Sequence, residues 1–533
     1  MSTLPTRTLA LAGAALAAVG VFLVRAWPTW GTVVDDAYIS ARYAENLAAG
    51  YGLVYNGGEA PVEGYTNLAW TVLLAGVRLV GLPMHESMEA LGLVFGALGI
   101  VGMVLLGDAL MDRPRRVWVA ALPALFVAAT PHYAVVATNG LETTQFFAAV
   151  VWAIWASWAA RGAWRWAAGL LIGALALVRP EGILVAGGIV LIDLIERRRE
   201  LSSAHTWAYL VPVVALFGGL EAWRFGTYGA LMPNTGPAKA NLTWWGAIKT
   251  NGRYVGPDAE VWIGAVVMAL IGVFASKWSW RKLLVACLVG GLALVASRVY
   301  LWMPGGRLLV LPLALCAALG AMPLAARVER GSWRFVGQIT VGVLAAVCGL
   351  WMVTGDPTGQ LKRTGWKADP TGWQRGRDRH HSVVKPNATM IAGEHLRQHL
   401  PEGARLATRD AGVLAWSVGT GVRVDELHPR ALTLPHPDGA DVDWKALLDE
   451  PPEVVAFTVA SAEKRPFYYG LERSIWKHLA PTRYVYLGRI EQHYRRHYDI
   501  YVREDVDMPP LPPDIVLNTV GQLPRTTISV ATE

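Results

Sequence analysis

Cysteine and charged residues are both scarce in this chain, and each scarcity excludes a class of protein. The 533 residues include three cysteines, Cys287, Cys316 and Cys348, and all three lie inside apolar runs. This usage excludes a disulfide framework, and we interpret the thiols as buried apolar side chains. Charged residues make up 17% of the chain and hydrophobic residues 53%. That balance excludes a soluble globular protein and is typical of a polytopic membrane protein.

Three kinds of ligand site have no signature in the sequence. The net charge is +7, but the basic residues sit in short clusters between apolar runs, which does not indicate a nucleic-acid partner. No glycine-rich phosphate loop follows a strand in the apolar part, which argues against nucleotide-driven chemistry. No cluster of His, Cys and Asp has metal-site spacing, so no metal site is predicted, although acids of the first polar loop could hold a divalent cation weakly.

Long apolar runs dominate the first 355 residues, and we interpret eleven of them as membrane spans of about 20 residues each. The first run follows Arg7 and is not followed by a convincing cleavage site, so we expect an uncleaved signal anchor. A further run at 66–83 contains Arg78, which suits a helix at the outer interface better than a span. The eleven predicted spans are 8–26, 89–110, 117–135, 143–160, 166–179, 181–195, 206–225, 259–276, 282–300, 307–326 and 335–354.

Basic residues in the loops decide the orientation. If the run at 66–83 does not cross, five basic clusters all face the cytoplasm, as the positive-inside rule requires; if it crosses, all five lie outside. We therefore predict a cytoplasmic N-terminus and an extracytoplasmic C-terminal part in a bacterial inner membrane. The clusters are Arg113, Arg115 and Arg116, then Arg161 and Arg165, then Arg197, Arg198 and Arg199, then Lys277, Arg281 and Lys282, then Arg327, Arg330 and Arg334.

The chain changes character after residue 355. Residues 356–385 are polar and are predicted to be a linker, and 386–533 are predicted to be a soluble α/β domain with an extended, proline-rich tail. The fold class is therefore a polytopic α-helical membrane domain over 1–355, with a large first outer loop at 29–88, followed by the α/β domain. In that domain the pattern predicts one helix at 387–400 and strands at 405–408, 422–424, 454–459, 484–487 and 498–502.

Adjacent carboxylates, Asp35 and Asp36, follow the first apolar run and open a loop rich in Tyr, Asn and Gly. Acids at a membrane boundary are costly unless they are solvated or have a task. Capping the short helix predicted there explains one of the two acids and leaves the other unexplained. A carboxylate at this boundary can act as general base toward a sugar hydroxyl or orient an acceptor, so we predict both aspartates as catalytic.

Other polar residues fall on the same predicted outer face. The R-P-E-G at 179–182 lies between two short spans, and broken helices at membrane depth often mark a site. Each residue also has a plain explanation, as an internal ion pair, an acid at a helix N-terminus or an ordinary loop acid. As residues that bind the sugar or the acceptor we predict Arg42, Glu63, Tyr65, Asn67, His132, Glu142, Arg179 and Glu181.

Three cations, Lys239, Arg298 and Arg307, stand at the outer ends of spans. Snorkelling of the long side chain to the interface is the ordinary explanation for each. Because all three face one side, amid aromatic residues and the pair Gly305-Gly306, we predict that they bind the phosphate of a lipid.

The loop D-D-A-Y-I-S-A-R-Y-A-E-N-L, continued by G-L-V-Y-N and V-E-G-Y-T-N, resembles the first outer loop of bacterial GT-C-class glycosyltransferases. It is most similar to the terminal arabinofuranosyltransferase branch of cell-wall arabinan synthesis. N-G-L-E-T, R-P-E-G, P-N-T…A-K and G-G-R-L-L-V-L-P are similar in order and spacing, and the resemblance covers about residues 5–355. The soluble domain matches only loosely, through T-R-D-A-G at 408–412 and V-D-E-L at 424–427, and 427–434 departs from the family pattern.

The resemblance implies a transferase that uses a polyprenyl-phosphate-linked sugar and acts on an envelope glycan at the outer face. It also implies an essential acid in the first outer loop, which corresponds to Asp35 and Asp36, with Asp36 favoured. Two other functions stay open, a transporter of lipid-linked glycan and a non-catalytic assembly protein. Transport predicts polar residues that reach both faces, whereas here they lie on one face, which favours the enzyme. The expected partners are the lipid-linked sugar, the glycan acceptor and membrane lipid, with no nucleic acid.

Overall fold

The computed structural model describes most of the apolar part and the body of the C-terminal domain. Of the predicted phosphate-binding cations, Lys239 lies outside the described residues, and only the backbone of Arg298 is described. The predicted span at 335–354 also lies outside them. The described residues are 4–111, 117–198, 203–234, 259–275, 279–298, 306–330, 373–375, 384–386, 388–409, 412–427, 449–459, 479, 482–491 and 497–516.

Helices make up the apolar part, and their bounds follow the predicted runs closely. Two of them, α2 and α3, lie in the first outer loop, and a single 3-10 turn at Trp27–Thr29 leads into that loop. The helices are α1 (Leu4–Ala26), α2 (Asp35–Ala48), α3 (Leu68–Leu79), α4 (Met84–Leu110), α5 (Val117–Ala129), α6 (Pro131–Thr138), α7 (Thr143–Ala159), α8 (Trp164–Gly173), α9 (Leu175–Val178), α10 (Gly182–Glu196), α11 (Ala204–Tyr228), α12 (Ala259–Ala275), α13 (Trp280–Arg298) and α14 (Val310–Arg330).

Two predicted spans are interrupted. The run at 117–135 is a pair of helices, α5 and α6, bent by 63° at Thr130, where Pro131 cannot donate a backbone hydrogen bond to continue α5. The run at 166–179 is divided into α8 and α9. By length and composition, three helices of the described part could cross a membrane, or four if the bent pair is one span. The count of eleven spans therefore stays a prediction.

The disputed segment at 66–83 forms a helix of 12 residues, α3. At about 1.5 Å per residue such a helix is roughly 18 Å long, well short of the ~30 Å hydrocarbon core. Its Arg78 side chain is 56% exposed. The length and this exposure support the interfacial position on which the predicted orientation depends, and that orientation stays a prediction.

Helix α4 is packed on several sides, because it contacts α1, α5, α6 and α7. Its glycines allow the close approach. A Cβ on Gly92 would collide with the backbone carbonyl of Ala137 on α6, and a Cβ on Gly107 with that of Ala120 on α5. These contacts hold α6, and with it the loop that follows, in a fixed position over α4.

We expect Gly92→Ala to destabilise the protein, since the added methyl group would force α4 and α6 apart. Overpacking of this kind typically costs about 1–3 kcal/mol. The check is thermal unfolding in detergent micelles. Gly20→Ala on α1 is the matched control, because its added Cβ would meet nothing within 4 Å beyond its own turn of the helix. Equal unfolding temperatures for the two variants would contradict the close packing of α4 against α6.

The C-terminal domain is a five-stranded sheet with two described helices, α15 (Ala388–His399) and α16 (Val413–Ser417). The sheet order is β4-β3-β5-β7-β6, with β3 parallel to β4 and β5, and β7 antiparallel to β5 and β6. This confirms the predicted α/β character. The strands are β3 (Arg405–Thr408), β4 (Arg423–Glu426), β5 (Val454–Val459), β6 (Tyr484–Glu491) and β7 (His497–Arg503), preceded by an antiparallel pair, β1 (Trp373–Arg375) and β2 (Val384–Pro386).

The first outer loop and the C-terminal domain share one core. Three loop tyrosines, Tyr43, Tyr55 and Tyr65, belong to the same buried cluster as Leu406 of β3 and Val424 of β4. Helix α2 also packs directly against α16. The loop is therefore held between the helical part on one side and the sheet domain on the other.

Candidate active site

The start of α2 is fixed by the turn between α6 and α7. The backbone N–H of Val34 donates to the carbonyl of Asn139 over 2.9 Å, and the indole of Trp70 donates to the carbonyl of Gly140 over 3.1 Å. Gly140 has φ +78°, and a Cβ there would collide with Val33, so both the conformation and the space favour glycine. The N-G-L-E-T motif thus positions the two aspartates at the N-terminus of α2.

Asp35 and Asp36 have different surroundings. The Asp35 carboxylate accepts a hydrogen bond from the backbone N–H of Val413 over 2.8 Å, and a Cβ on Gly412 would collide with it. Asp35 therefore binds the start of α16, at the end of the T-R-D-A-G motif. Asp36 instead lies close enough to Arg307 for its charge to act on that guanidinium.

Four of the predicted site residues, from three separate motifs, are joined by ion pairs and hydrogen bonds. Arg179 forms an ion pair with Glu142 and donates through Nε to Glu181 over 2.8 Å. The side-chain amide of Asn67 donates to Glu142 over 2.8 Å, and Asn67 in turn accepts from Ser40 over 3.1 Å. The first loop, the N-G-L-E-T turn and the R-P-E-G break therefore form one polar cluster, whereas the sequence predicted only that they lie on one face.

The charges of this cluster act on one another. Burial alone would raise the pKa of Glu142, but Arg179, Arg307 and the Asn67 hydrogen bond outweigh it and hold that pKa below its usual range. Glu142 is therefore a carboxylate at neutral pH. Arg307 is repelled by the neighbouring charge of Arg179 and attracted by Glu142, Asp36 and Glu181.

A narrow cleft opens beside the cluster. Its polar end is formed by Arg179, Glu181 and Arg307, and the rest of its wall is mostly apolar. The cavity measures about 20 Å³, which is room for roughly one water molecule. The apolar lining is contributed by Phe146 and Phe147 of α7, Leu292, Val295 and Ala296 of α13, and Leu308, Val310 and Leu311 at the start of α14.

Known proteins resemble this chain both in sequence and in fold. No protein-family model matches the chain. A terminal β-(1→2)-arabinofuranosyltransferase of Mycobacterium tuberculosis is 31% identical over 388 residues, which cover 63% of this chain and 60% of the relative. ArnT of Cupriavidus metallidurans, solved with bound undecaprenyl phosphate, superposes with a TM-score of 0.56 at 14% identity, over 96% of this chain and all of ArnT. The chain has the fold of the GT-C glycosyltransferases.

A second neighbour supports the same GT-C fold. The oligosaccharyltransferase of Archaeoglobus fulgidus superposes with a TM-score of 0.52 at 11% identity, over 94% of this chain and 75% of its own. The likeness to the terminal arabinofuranosyltransferases that the first loop indicated is confirmed. The chain spans about 60% of the length of the mycobacterial relative. The long apolar helices of its described part, together with this likeness, indicate a membrane-integral protein.

Two further residues that were predicted to bind the sugar or the acceptor, Glu63 and Tyr65, connect the first loop to α11. Glu63 is 3% exposed and forms a bidentate ion pair with Arg224, with N–O distances of 2.7 and 3.0 Å. The hydroxyls of Tyr65 and Tyr228 lie 3.0 Å apart. Sequence reasoning missed Arg224 as the partner of Glu63. An arginine within an apolar span was the available signal, since such a charge needs a counter-ion.

The structure places Arg42 and His132 outside the polar cluster. Arg42 is 1% exposed, and it donates to carbonyl groups of the C-terminal domain, including that of Val422 over 2.7 Å. His132 is buried on α6, seven residues before Asn139, or about 10 Å along the helix. The sugar-binding roles predicted for both stay predictions, and the contacts of Arg42 give it a task in joining the two domains.

Within the described part of the chain, no group of three or more His, Cys, Asp or Glu side chains lies close enough together to hold a metal ion. Three carboxylates near the cleft, Asp36, Glu142 and Glu181, act electrostatically on the guanidinium of Arg307.

Proposed function

We propose that this protein is a glycosyltransferase that moves a sugar from a polyprenyl-phosphate donor to a glycan acceptor of the cell envelope, on the outer face of the bacterial inner membrane. One observation carries the proposal. Arg179 and Arg307 line an otherwise mostly apolar cleft, and a first-loop carboxylate, Asp36, acts on the guanidinium of Arg307. The name of the mycobacterial relative makes arabinofuranose the sugar we expect.

The donor would lie in the cleft between α7, α13 and α14. Its lipid tail would pack against Phe146, Leu292 and Leu311, and its phosphate would bind Arg307, where a charge-assisted hydrogen bond is strongest away from water. The cavity of about 20 Å³ is too small for that phosphate. Donor binding would therefore have to widen the cleft, by moving the start of α14 away from α7.

The chemical step needs one base and one stabilised leaving group. The carboxylate of Asp36 takes the proton of an acceptor hydroxyl while its oxygen attacks the anomeric carbon. The bond between that carbon and the phosphate oxygen breaks, and the lipid phosphate leaves with the electron pair beside Arg307. Glu142 and Glu181 hold Arg179 in place through their ion pairs, so the positive end of the cleft is preorganised before the donor binds.

A transfer assay tests the proposal. The protein would be reconstituted in nanodiscs with a polyprenyl-phosphoryl arabinofuranose and a soluble arabinofuranosyl oligosaccharide, and the mass of the product would be measured by mass spectrometry. We expect an acceptor heavier by one pentose. Native mass spectrometry of the gently purified protein should also find a bound polyprenyl phosphate. Movement of the intact lipid-linked sugar across proteoliposomes without glycan extension would instead establish a transporter.

We expect Arg307→Gln to raise the KM for the lipid donor. Loss of one charge-assisted contact to phosphate corresponds to about 1.5–3 kcal/mol, or roughly ten- to hundredfold, while the KM for the glycan acceptor should hardly change. Arg161→Gln is the matched control, since this arginine is bound to carbonyl oxygens at the other predicted face. An equal effect on both substrates, or none on the donor, would contradict the phosphate-binding role of Arg307.

A further inference from the structure

A second cavity lies at the junction of the first outer loop and the C-terminal domain. It measures about 380 Å³ and is lined by side chains of α2, α15 and α16. That volume is within the range of pockets that bind small molecules, about 300–1,000 Å³. The cleft beside Arg179 and Arg307 is far smaller and lies on other helices, so this cavity is a separate feature that the transfer mechanism does not use.

The lining combines an aromatic surface, aliphatic side chains and carboxylates. Trp416 of α16 is partly exposed there, and its ring packs against Tyr38 with centroids 5.0 Å apart. Met390 and Ile391 of α15 supply apolar surface, and Glu45 of α2 and Glu394 of α15 supply carboxylates. An aromatic ring with hydrogen-bonding groups around it matches a sugar ring, which has an apolar face and hydroxyl groups at its edge.

The charges around the cavity balance. Arg397 pairs with Glu394 over 2.6 Å, and Arg78 of α3 lies 4.0 Å from Glu45. Among the described residues around the cavity there is therefore no excess positive charge to attract a phosphate or a carboxylate, in contrast to the Arg179 and Arg307 end of the cleft. Burial raises the pKa of Glu45, as expected for a carboxyl group drawn partly out of water at the cavity wall. A neutral ligand rich in hydroxyl groups fits this lining best.

The position of the cavity separates it from the reacting centre. Glu45 is nine residues beyond Asp36 on α2, which is about 14 Å along the helix and roughly half a turn around it. A sugar held at the Glu45 end of the cavity would lie too far along α2 to reach Asp36 as well, whereas a glycan chain could extend from one place to the other around α2. The contact of Asp35 with Val413 fixes α16, and so Trp416, relative to the predicted catalytic loop.

We propose that the cavity lined by Trp416, Glu45 and Glu394 is a secondary glycan-binding site, which takes a neutral sugar residue of the envelope glycan away from its reacting end. The inference rests on the proposed function for the identity of the glycan. It adds a site that holds the polymer on the enzyme between transfer events, so that its loss weakens binding of long acceptors more than of short ones.

Binding of glycan in the absence of donor tests this site. Saturation-transfer NMR would be recorded on the full chain in nanodiscs with a soluble arabinofuranosyl oligosaccharide, and with a maltooligosaccharide of equal length for comparison. We expect Trp416→Ala to weaken binding of the arabinofuranosyl chain about tenfold and Glu45→Gln to weaken it less. Trp164→Ala is the matched control, because Trp164 is 76% exposed at the other predicted face.

The outcomes separate this inference from the proposed function. Asp36→Asn should greatly reduce transfer yet keep oligosaccharide binding. Trp416→Ala should instead weaken binding and raise the KM for long acceptors, with transfer to a short acceptor retained. Trp416→Phe should restore most of the binding if stacking is the cause, and it also controls for misfolding. Unchanged binding in folded Trp416→Ala, no binding by the wild type, or displacement of the sugar by phosphatidylglycerol would overturn the inference and leave the transferase proposal standing.

Discussion

Replacing Asp36 by asparagine is expected to reduce sugar transfer by about a thousandfold, within the 10²–10⁴ range of a lost general base. The amide has nearly the shape of the carboxylate but cannot take the proton of the acceptor hydroxyl. The loss should appear in kcat, with the KM for the lipid donor and the unfolding temperature nearly unchanged. The measurement is a donor and acceptor titration of wild type and Asp36→Asn in nanodiscs.

Asp35→Asn is the matched control, one residue away on the same helix. Its side-chain oxygen can still accept the hydrogen bond that Asp35 takes from Val413 over 2.8 Å, so activity should fall far less than in Asp36→Asn. Asp35→Ala cannot accept that bond and should lower the unfolding temperature as well. Full activity in Asp36→Asn together with an inactive but folded Asp35→Asn would show that the two roles are reversed.

The polar cluster could be predicted because membrane topology reduces the choice. Loop charge assigned N-G-L-E-T and R-P-E-G to one face, so Glu142, Arg179 and Glu181 were expected on the same side of the membrane. In the structure these three residues contact one another and Asn67. The short helix beginning at Asp35 could also be predicted from the sequence, since adjacent acids mark its start and the later glycines mark its end.

Contacts between distant parts of the chain could not be predicted in the same way. The partner of Asp35 is 378 residues away in another domain, and Glu63 meets Arg224 161 residues later. A local pattern can show that Arg224 needs a counter-ion, but it cannot identify the partner, because Asp35 and Glu63 each have an ordinary explanation as a cap or a loop acid. The division of 117–135 at Thr130 has the same origin, since α6 owes its direction to packing on α4 as much as to Pro131.

Replacing Arg42 by methionine is expected to have the largest effect on stability. Its guanidinium donates to the carbonyls of Tyr55, Ala415, Gly419 and Val422 and to the side-chain oxygen of Asn56, over distances of 2.7–3.0 Å except for the shorter one to Ala415. Methionine fills similar space but removes the Arg42 donor from the carbonyls of Ala415, Gly419 and Val422, at about 1–3 kcal/mol for each that is left unpaired and that water cannot reach. Tyr55 and Asn56 keep other donors, Asn46 and the backbone N–H of Val424. Three of the five lie in the C-terminal domain, so that domain should loosen from the first loop.

Hydrogen exchange and thermal unfolding in detergent check this expectation. In Arg42→Met, amide protection should fall in 412–427 and in 53–56 together, because Arg42 joins these segments. Arg42→Lys should rescue only part of it, since an ammonium group cannot reproduce the planar fork of donors. Arg78→Met is the matched control, an arginine 56% exposed on α3 whose loss should change stability little. Equal protection in Arg42→Met and Arg78→Met would mean that the aromatic core around Tyr43 and Tyr55, and not this guanidinium, holds the domain against the loop.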